Sequence, residues 1–173
     1  GEVTIRVRLV DCVGFMVEGA AGHLEDGAER LVKTPWYDHE IPFTQAAELG
    51  TRKVITDHST IGVVVTTDGS FSDLPQETYL DAENQAISEL KKLHKPFLVL
   101  VNSSHPSSRT AREAAERIEK QHSVAAMPVN CAQLSEEDIR QIMEQILYEF
   151  PVSRVEFYMP KWVEMLPFSH PLK

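Results

Sequence analysis

Apolar side chains at Val3, Ile5, Val7 and Leu9 alternate with Thr4, Arg6 and Arg8, and the alternation stops at Asp11-Cys12-Val13-Gly14. A period of two belongs to a half-buried strand, so a strand is predicted over residues 3–10, ending in an acidic turn. Two later runs, 61–66 and 96–102, are almost continuously apolar, as strands covered on both faces are. Between them, residues 78–94 follow a helical period. Leu80, Ala82, Ala86, Ile87, Leu90 and Leu93 fall on one side, with Asp81, Glu83, Glu89, Lys91 and Lys92 mostly on the other. Asp73 and Pro75 suit its entry, and His94-Lys95-Pro96 its exit. Strand, helix, strand at this spacing is a parallel crossover unit, expected to be right-handed.

The unit repeats in kind, though not as a sequence repeat. Ser107-Ser108-Arg109-Thr110 leads into a helix to about Gln121, and a short strand follows over 124–129. Pro128 in that strand predicts a sheet margin, because proline cannot donate to a ladder. Ser135 is a helix N-cap, and Glu136, Glu137 and Asp138 place carboxylates in the positive first turn. This helix runs to Phe150, with Ile139, Ile142, Met143, Ile146, Leu147 and Phe150 as its predicted buried stripe, and Pro151 stops it. A new strand pattern begins at 154–159, and the proline-rich, aromatic stretch 160–171 reads as a connection to a following domain. Residues 15–60 are less regular. Gly19, Gly22 and Gly27 punctuate an acidic loop, and 44–51 suits a short helix. This region is read either as a switch segment beside a phosphate site or as an ordered insertion on the sheet edge. The fold class expected is α/β, a mostly parallel sheet with helices on both faces. Residues 1–151 are the nucleotide-binding domain in part, and 152–173 the connection or the start of a middle domain.

Bulk composition narrows the function classes. With 173 residues, 42% hydrophobic and 25% charged, the chain is long enough for one domain with a proper core. A net charge of −9 without any basic cluster argues against a broad nucleic-acid-binding face. Cys12 and Cys131 are far apart and form no C-x-x-C, which favours free thiols in a reducing compartment over a single disulfide between them. No run approaches the roughly 18 apolar residues of a membrane-spanning helix, and a cytoplasmic setting is expected.

The candidate chemistry is that of a nucleotide phosphate. Asp11 ends a strand and Gly14 follows in D-x-x-G, where the carboxylate can hold a Mg²⁺-bound water and the glycine lets a backbone N–H approach a terminal phosphate. A phosphate loop of the form G-x-x-x-x-G-K-[S/T] does not occur; Gly50-Thr51-Arg52-Lys53 has the residue types without the spacing. In a P-loop NTPase reading, the first strand and phosphate loop therefore lie upstream of Gly1. The GTPase motif N-K-x-D would fall at Asn102-Ser103-Ser104-His105. Asn102 is kept, but Ser103 and His105 replace the lysine and the guanine-reading carboxylate, so two-point discrimination for guanine is lost. Asn130, in Val129-Asn130-Cys131-Ala132, sits where a last base-contacting loop would be, and both asparagines also suit simple turns. Thr66-Thr67-Asp68-Gly69 is either a ligand-binding strand end or a turn. Asp38-His39-Glu40, Asp57-His58 and His23 suggest metal ligation, but neighbouring residues point apart and no H-x-H or H-E-x-x-H supports it.

Longer strings carry a resemblance. Residues 8–14 (Arg-Leu-Val-Asp-Cys-Val-Gly), 32–43 from Val32 through Trp36 and His39 to Phe43, 50–60 from Gly50 through Asp57 and His58 to Thr60, and the Thr66–Gly69 turn together resemble the stage IV sporulation protein A family, the spore-coat morphogenetic ATPases of endospore-forming bacteria. The resemblance covers essentially the whole chain. It implies a GTPase-like P-loop NTPase fold lacking its first strand, P-loop and first helix here. It also implies ATP and Mg²⁺ as cofactors, with hydrolysis driving irreversible polymerisation into the basement layer of the spore coat.

By the same resemblance, Asp11 is similar to the Walker B acid and orients Mg²⁺ through water, while Gly14 contacts the terminal phosphate. Asn102, Ser103 and Asn130 are the nucleotide-contacting candidates. The implied partners are other copies of the protein and other spore-coat morphogenetic proteins, in the mother cell at the forespore surface. The forespore membrane would be reached only through regions outside this chain, and no nucleic acid is implied. The phosphate-loop lysine and upstream switch threonines have no counterpart in these residues, so the chain alone is expected to be inactive and, with sheet edge exposed, to self-associate. A non-enzymatic assembly module with the same fold is the alternative.

Overall fold

The two continuous apolar runs become adjacent strands of one parallel sheet. The computed structural model describes residues 4, 6–20, 22–25, 27–151, 162, 165–167 and 170. Ahead of the sheet come two small antiparallel pairs, β1 (Leu24–Glu25) with β2 (Ala28–Glu29) and β3 (Leu31–Val32) with β4 (Ile41–Pro42). Helix α1 (Phe43–Lys53) follows and continues into a π-helical turn, Val54–His58. Then come β5 (Gly62–Thr67), α2 (Leu80–Lys92), β6 (Phe97–Asn102), α3 (Arg109–His122), β7 (Ala126–Val129) and α4 (Glu136–Tyr148).

The sheet order is β5-β6-β7, all parallel, with Val64 opposite Val99 and Val101 opposite Pro128. β6 lies in the middle and Phe97 to Val101 are all buried, which accounts for its unbroken apolar sequence. Pro128 falls on an edge strand, as its missing N–H requires. Alternate residues of β6 feed two cores. Val99 and Val101 meet Ile87 and Leu90 of α2 and Ala114, Ala115 and Ile118 of α3, while Leu98 and Leu100 meet Ile142 and Ile146 of α4. Helices thus cover both faces, as expected of the α/β class. At Gly62 an added Cβ would come within 2.7 Å of Leu90 Cδ2, so β5 passes α2 at a separation only glycine permits.

Capping agrees with the sequence. Ser135 Oγ accepts the Asp138 N–H at 3.1 Å, and the Asp138 carboxylate accepts the Ser135 N–H at 2.8 Å, a reciprocal capping box. The Ser108 hydroxyl does the same one-way service for α3, accepting the Ala111 N–H. Less expected is Lys95. Read from sequence only as part of the exit from α2, it donates to the carbonyls of Ile55, Thr56 and Ser59 at 2.5, 2.9 and 2.6 Å. An ammonium there satisfies orphan carbonyls at the negative end of the α1 helix.

Four expectations need correction. Thr4 and residues 6–10 form no strand, and Leu9 is 89% exposed; no described strand lies beside them to complete a ladder, and an unpaired strand gains nothing for its ordering cost. The irregular region 15–60 holds two short antiparallel strand pairs that its sequence does not announce, while the short helix expected over 44–51 is present, as Phe43–Lys53. The stripe of α4 is narrower than its sequence suggests: Ile142 and Ile146 are buried, but Ile139, Leu147 and Phe150 are exposed, because α4 meets the sheet without a described neighbour beside it. Glu83, placed with the polar side of α2, is buried. Its spacing of four and seven residues from Ile87 and Leu90 puts it on their face. The strand pattern at 154–159 lies outside the described residues.

Glu83 is 4% exposed and is fully engaged. Arg117 from α3 donates Nη1 and Nη2 to its two oxygens at 2.8 and 3.1 Å, and Thr66 of β5 donates its hydroxyl at 2.8 Å. One carboxylate therefore joins two helices and the sheet. Arg117→Met leaves that charge without its cation and is expected to destabilise the chain by about 3 kcal/mol, since breaking a buried pair costs far more than the pair contributes. Replacing both, as Glu83→Leu with Arg117→Met, recovers most of the loss in urea unfolding. A double variant as weak as the single one would contradict this account.

Candidate functional site

Ligands of parallel α/β sheets gather where the strands end at their carboxyl side, and here three loops meet there. β5 leads into Asp68, β6 ends in Asn102 and continues to Ser103, and β7 leads into Asn130. Asn102 Oδ1 accepts the Cys131 N–H at 2.9 Å, and Asn130 Oδ1 accepts the Ala132 N–H at 3.1 Å, capping a short 3₁₀ turn. Ser103 is fully buried; its N–H donates to the Val129 carbonyl at 2.8 Å, and its hydroxyl accepts the His105 N–H at 3.1 Å. The structure therefore brings Asn102, Ser103 and Asn130 into one loop cluster. It also ties both asparagine carbonyls into turns, leaving their amide NH₂ groups as the donors available to a ligand.

Asp68 is the centre of the same cluster. Ser70 donates its N–H and its hydroxyl to Asp68 Oδ1 at 3.0 and 2.5 Å, and the Ser104 N–H donates to Ser70 Oγ at 2.8 Å. Burial by itself would raise the Asp68 pKa, but hydrogen bonds from the Ser103 and Ser70 hydroxyls and the Ser70 backbone together outweigh it and hold the carboxyl below its ordinary value. The turn and strand-end readings of Thr66–Gly69 are both met, because Asp68 shapes the turn and lies on the ligand edge. His105, in the position where a guanine-reading acid would stand, has Nδ1 2.9 Å from Ser104 Oγ.

Asp11 and Gly14 line a different place, a cavity beside β5 that does not include Asp68, Asn102 or Asn130, on the side of β5 where no described strand pairs. The Asp11 side chain is exposed and its Oδ1 accepts the Cys12 N–H at 2.9 Å. Gly14 has φ +87°, and a Cβ added there would meet nothing within 4 Å, so its conformation and not its space calls for glycine. Between residues 10–15 and β5 lies a cavity of about 420 Å³, bounded also by α2 and the end of α1. Its walls are largely apolar, with Val10, Val13, Phe15, Ile61, Val63 and Leu90 among them; Asp11, Thr51, Thr66 and Glu83 are polar exceptions. Among the described residues, no three His, Cys, Asp or Glu side chains could together hold a metal ion. A Mg²⁺ ion commonly takes one carboxylate plus waters and phosphate oxygens, and exposed Asp11 fits that share of the work.

Comparison with known proteins decides the family. The family model of the stage IV sporulation protein A ATPase domain matches residues 1–151. The chain belongs to that family. Stage IV sporulation protein A of Clostridioides difficile (strain 630) is 46% identical over 99% of the chain, and those of Bacillus subtilis (strain 168) and Bacillus anthracis are 40% and 39% identical over 98%. The chain spans about a third of the length of these relatives, at 35, 34 and 34%. No solved structure matches it.

Two contacts in these loops escape a reading of the sequence. Ser70 could be suspected from the Asp68-Gly69-Ser70 turn spacing, but its contact with the Ser104 N–H, 34 residues away, is tertiary. Thr51, which reaches Gly14 from 37 residues away, has no local signal at all.

The depressed Asp68 pKa makes a signed prediction. A carboxyl held below its ordinary value of 3.8 adds stability that is present above that pH and lost as pH falls through the folded pKa. Ser70→Ala removes one hydroxyl donor and is expected to move the Asp68 titration upward in carboxyl-carbon NMR. An unmoved titration would mean that the hydroxyl contributes nothing.

Proposed function

We propose that this chain forms the Walker B and base-contacting portion of an ATP-binding, ATP-hydrolysing domain whose protein self-assembles into the basement layer of the bacterial spore coat. The observation that carries the reading is the apolar cavity between the D-x-x-G segment and the edge of β5 that no described strand pairs with. A nucleotide's phosphates would find few donors on such walls, whereas a further parallel strand would find a free ladder edge and apolar cover. A strand in that position delivers its carboxyl-terminal loop beside Asp11 and Gly14.

In this reading Asp11 orients Mg²⁺ through a water and the Gly14 N–H contacts the terminal phosphate. Bound Mg²⁺ supplies neutralisation of developing phosphate charge. Asn102, Ser103 and Asn130 lie on the base side, with the two amide NH₂ groups as donors to purine ring nitrogens. Ser103 and His105 offer no carboxylate to the guanine edge, which supports adenine. The partners proposed are further copies of the protein and other spore-coat morphogenetic proteins, in the mother cell at the forespore surface. Among the described residues, no helix is long and apolar enough to cross a membrane. A non-enzymatic assembly module is the second reading, favoured by one observation: the Gly14 N–H is already bonded to Thr51.

The test joins the chain to the N-terminal segment of the Clostridioides difficile relative and measures Mg²⁺-dependent ATP and GTP binding and turnover. ATP is expected to bind in preference to GTP. Asp11→Asn should lower turnover by on the order of a hundredfold, the scale on which one positioned charge group acts in a transition state. If neither nucleotide binds, the assembly-module reading replaces this one.

Self-assembly has its own expected outcome. Val63 and Val65 share the α4 face of the sheet with Leu98 and Leu100, yet remain exposed, Val65 at 58%. With Ile139, Leu147 and Tyr148 also exposed on α4, the chain should scatter light as more than its 19.5 kDa monomer. Val65→Lys is expected to shift it toward the monomer; a sharp monomer mass for the unmodified chain at high concentration would rule this out.

A further inference from the structure

One hydroxyl takes both backbone groups of Gly14. Thr51 Oγ1 accepts the Gly14 N–H at 3.0 Å and donates to the Gly14 carbonyl at 3.1 Å. Thr51 itself is 3% exposed, so its hydroxyl has been carried into the interior for this contact. It stands near the end of α1, where the helix passes into its π turn, and Lys95 ties the carbonyls of that turn to the start of β6. The hook is therefore mounted on a rigid support, and what it holds is a loop that is otherwise lightly secured. Val13 beside it is two-thirds exposed, and Asp11 is exposed.

We propose that Thr51 is a positioning residue that competes with the terminal phosphate for the Gly14 N–H, holding the D-x-x-G loop in a closed, nucleotide-free arrangement. The proposal rests on the nucleotide reading above. An N–H directed at a buried threonine hydroxyl cannot at the same time be directed at a phosphate oxygen. Phosphate contact requires the pair to part, and both ends can bear it. A phosphate oxygen replaces the hydroxyl as acceptor, and a charged acceptor makes the stronger bond. Gly14 itself is only partly buried, so its freed carbonyl does not have to be left in a closed core. The exchange also informs the rest of the molecule, because the released hydroxyl belongs to α1 and its π turn. Nucleotide occupancy is thereby coupled to the helix that carries the 43–58 segment, through one hydrogen-bonded pair with two alternative partners.

The first measurement is hydrogen exchange of the Gly14 amide in the 173-residue chain without nucleotide. It should be protected in the unmodified chain and in Thr51→Ser, which keeps the hydroxyl, and exchange faster in Thr51→Val, which keeps the shape. Equal protection in all three overturns the clasp. The second measurement is affinity for a non-hydrolysable ATP analogue in the extended form described above. Thr51→Val should bind about fivefold more tightly, the worth of one competing hydrogen bond, with Thr51→Ser unchanged. A merely structural threonine would give the opposite sign, because its loss loosens the fold and weakens binding. Unchanged or weaker binding by Thr51→Val overturns the competition, whereas failure of the unmodified extended form to bind at all removes the nucleotide reading itself.

Discussion

Burial of β6 on both faces is the constraint from which the rest of the domain follows. Leu98, Val99 and Val101 are fully excluded from solvent and Leu100 nearly so, each contributing roughly 1.5–3 kcal/mol of transfer free energy. A strand buried this way needs a parallel neighbour on each side and a helix layer above and below. β5 and β7 supply the first, and α2 with α3 against α4 supply the second. The same arrangement lines up three strand ends, so the loops carrying Asp68, Asn102 and Asn130 converge because β6 must be covered. The polar cluster is thus a consequence of the core, and its hydroxyl and amide groups add recognition chemistry to a position that packing has already set.

The connection between the two halves of the chain depends on very few polar contacts. Lys95 binds three carbonyls from 55 to 59 and Arg52 pairs with Glu89 at 3.5 Å, while within the first half Thr51 binds both backbone groups of Gly14. Residues 24–44 are held to α1 by comparably local devices: Arg30 lies 5.5 Å over the Phe43 ring, Thr44 donates to Glu29 at 2.6 Å, and Lys53 lies 5.8 Å from the Trp36 ring centre. Each of these is an exchangeable interaction of modest net worth. The β5–β7 core is held by packing, and the 10–59 region joins it through these polar contacts and through Ile55, which packs against the core cluster of Val64, Ile87 and Leu90.

What the sequence discloses and what it withholds divide along physical lines. Continuous apolar runs, 3.6-residue periods and caps such as Ser108 and Ser135 are local properties, and they lead to β5, α2, β6, α3 and α4 within a few residues. Asn102, Ser103 and Asn130 are legible for the same reason, since strand ends in a parallel sheet converge. Glu83 falls on the Ile87–Leu90 face by spacing, but its charge reads as solvated until Arg117 and Thr66, 34 and 17 residues away, are seen to bind it. Thr51 and Lys95 stay hidden because their partners lie 37 and 40 residues off, beyond any periodicity. The strand predicted over residues 3–10 fails differently. Its alternation is genuine, but a strand is realised only by a neighbour, and none is described beside it.

Among the described residues, an alternating sequence without a partner, a β5 edge without a partner, and a cavity between them are three aspects of one unmet requirement for ladder hydrogen bonds. Exposed Val63 and Val65, together with Ile139, Leu147 and Tyr148, have the same deficit in apolar cover on the α4 face. Both kinds of deficit can be met from the same chain or from another copy, and the physics of either solution is identical. A family of sporulation proteins with an ATPase domain would have reason to keep such surfaces close to the D-x-x-G loop. Cover supplied in cis would stabilise that loop within one domain, whereas cover supplied in trans would make the state of the loop depend on a neighbour.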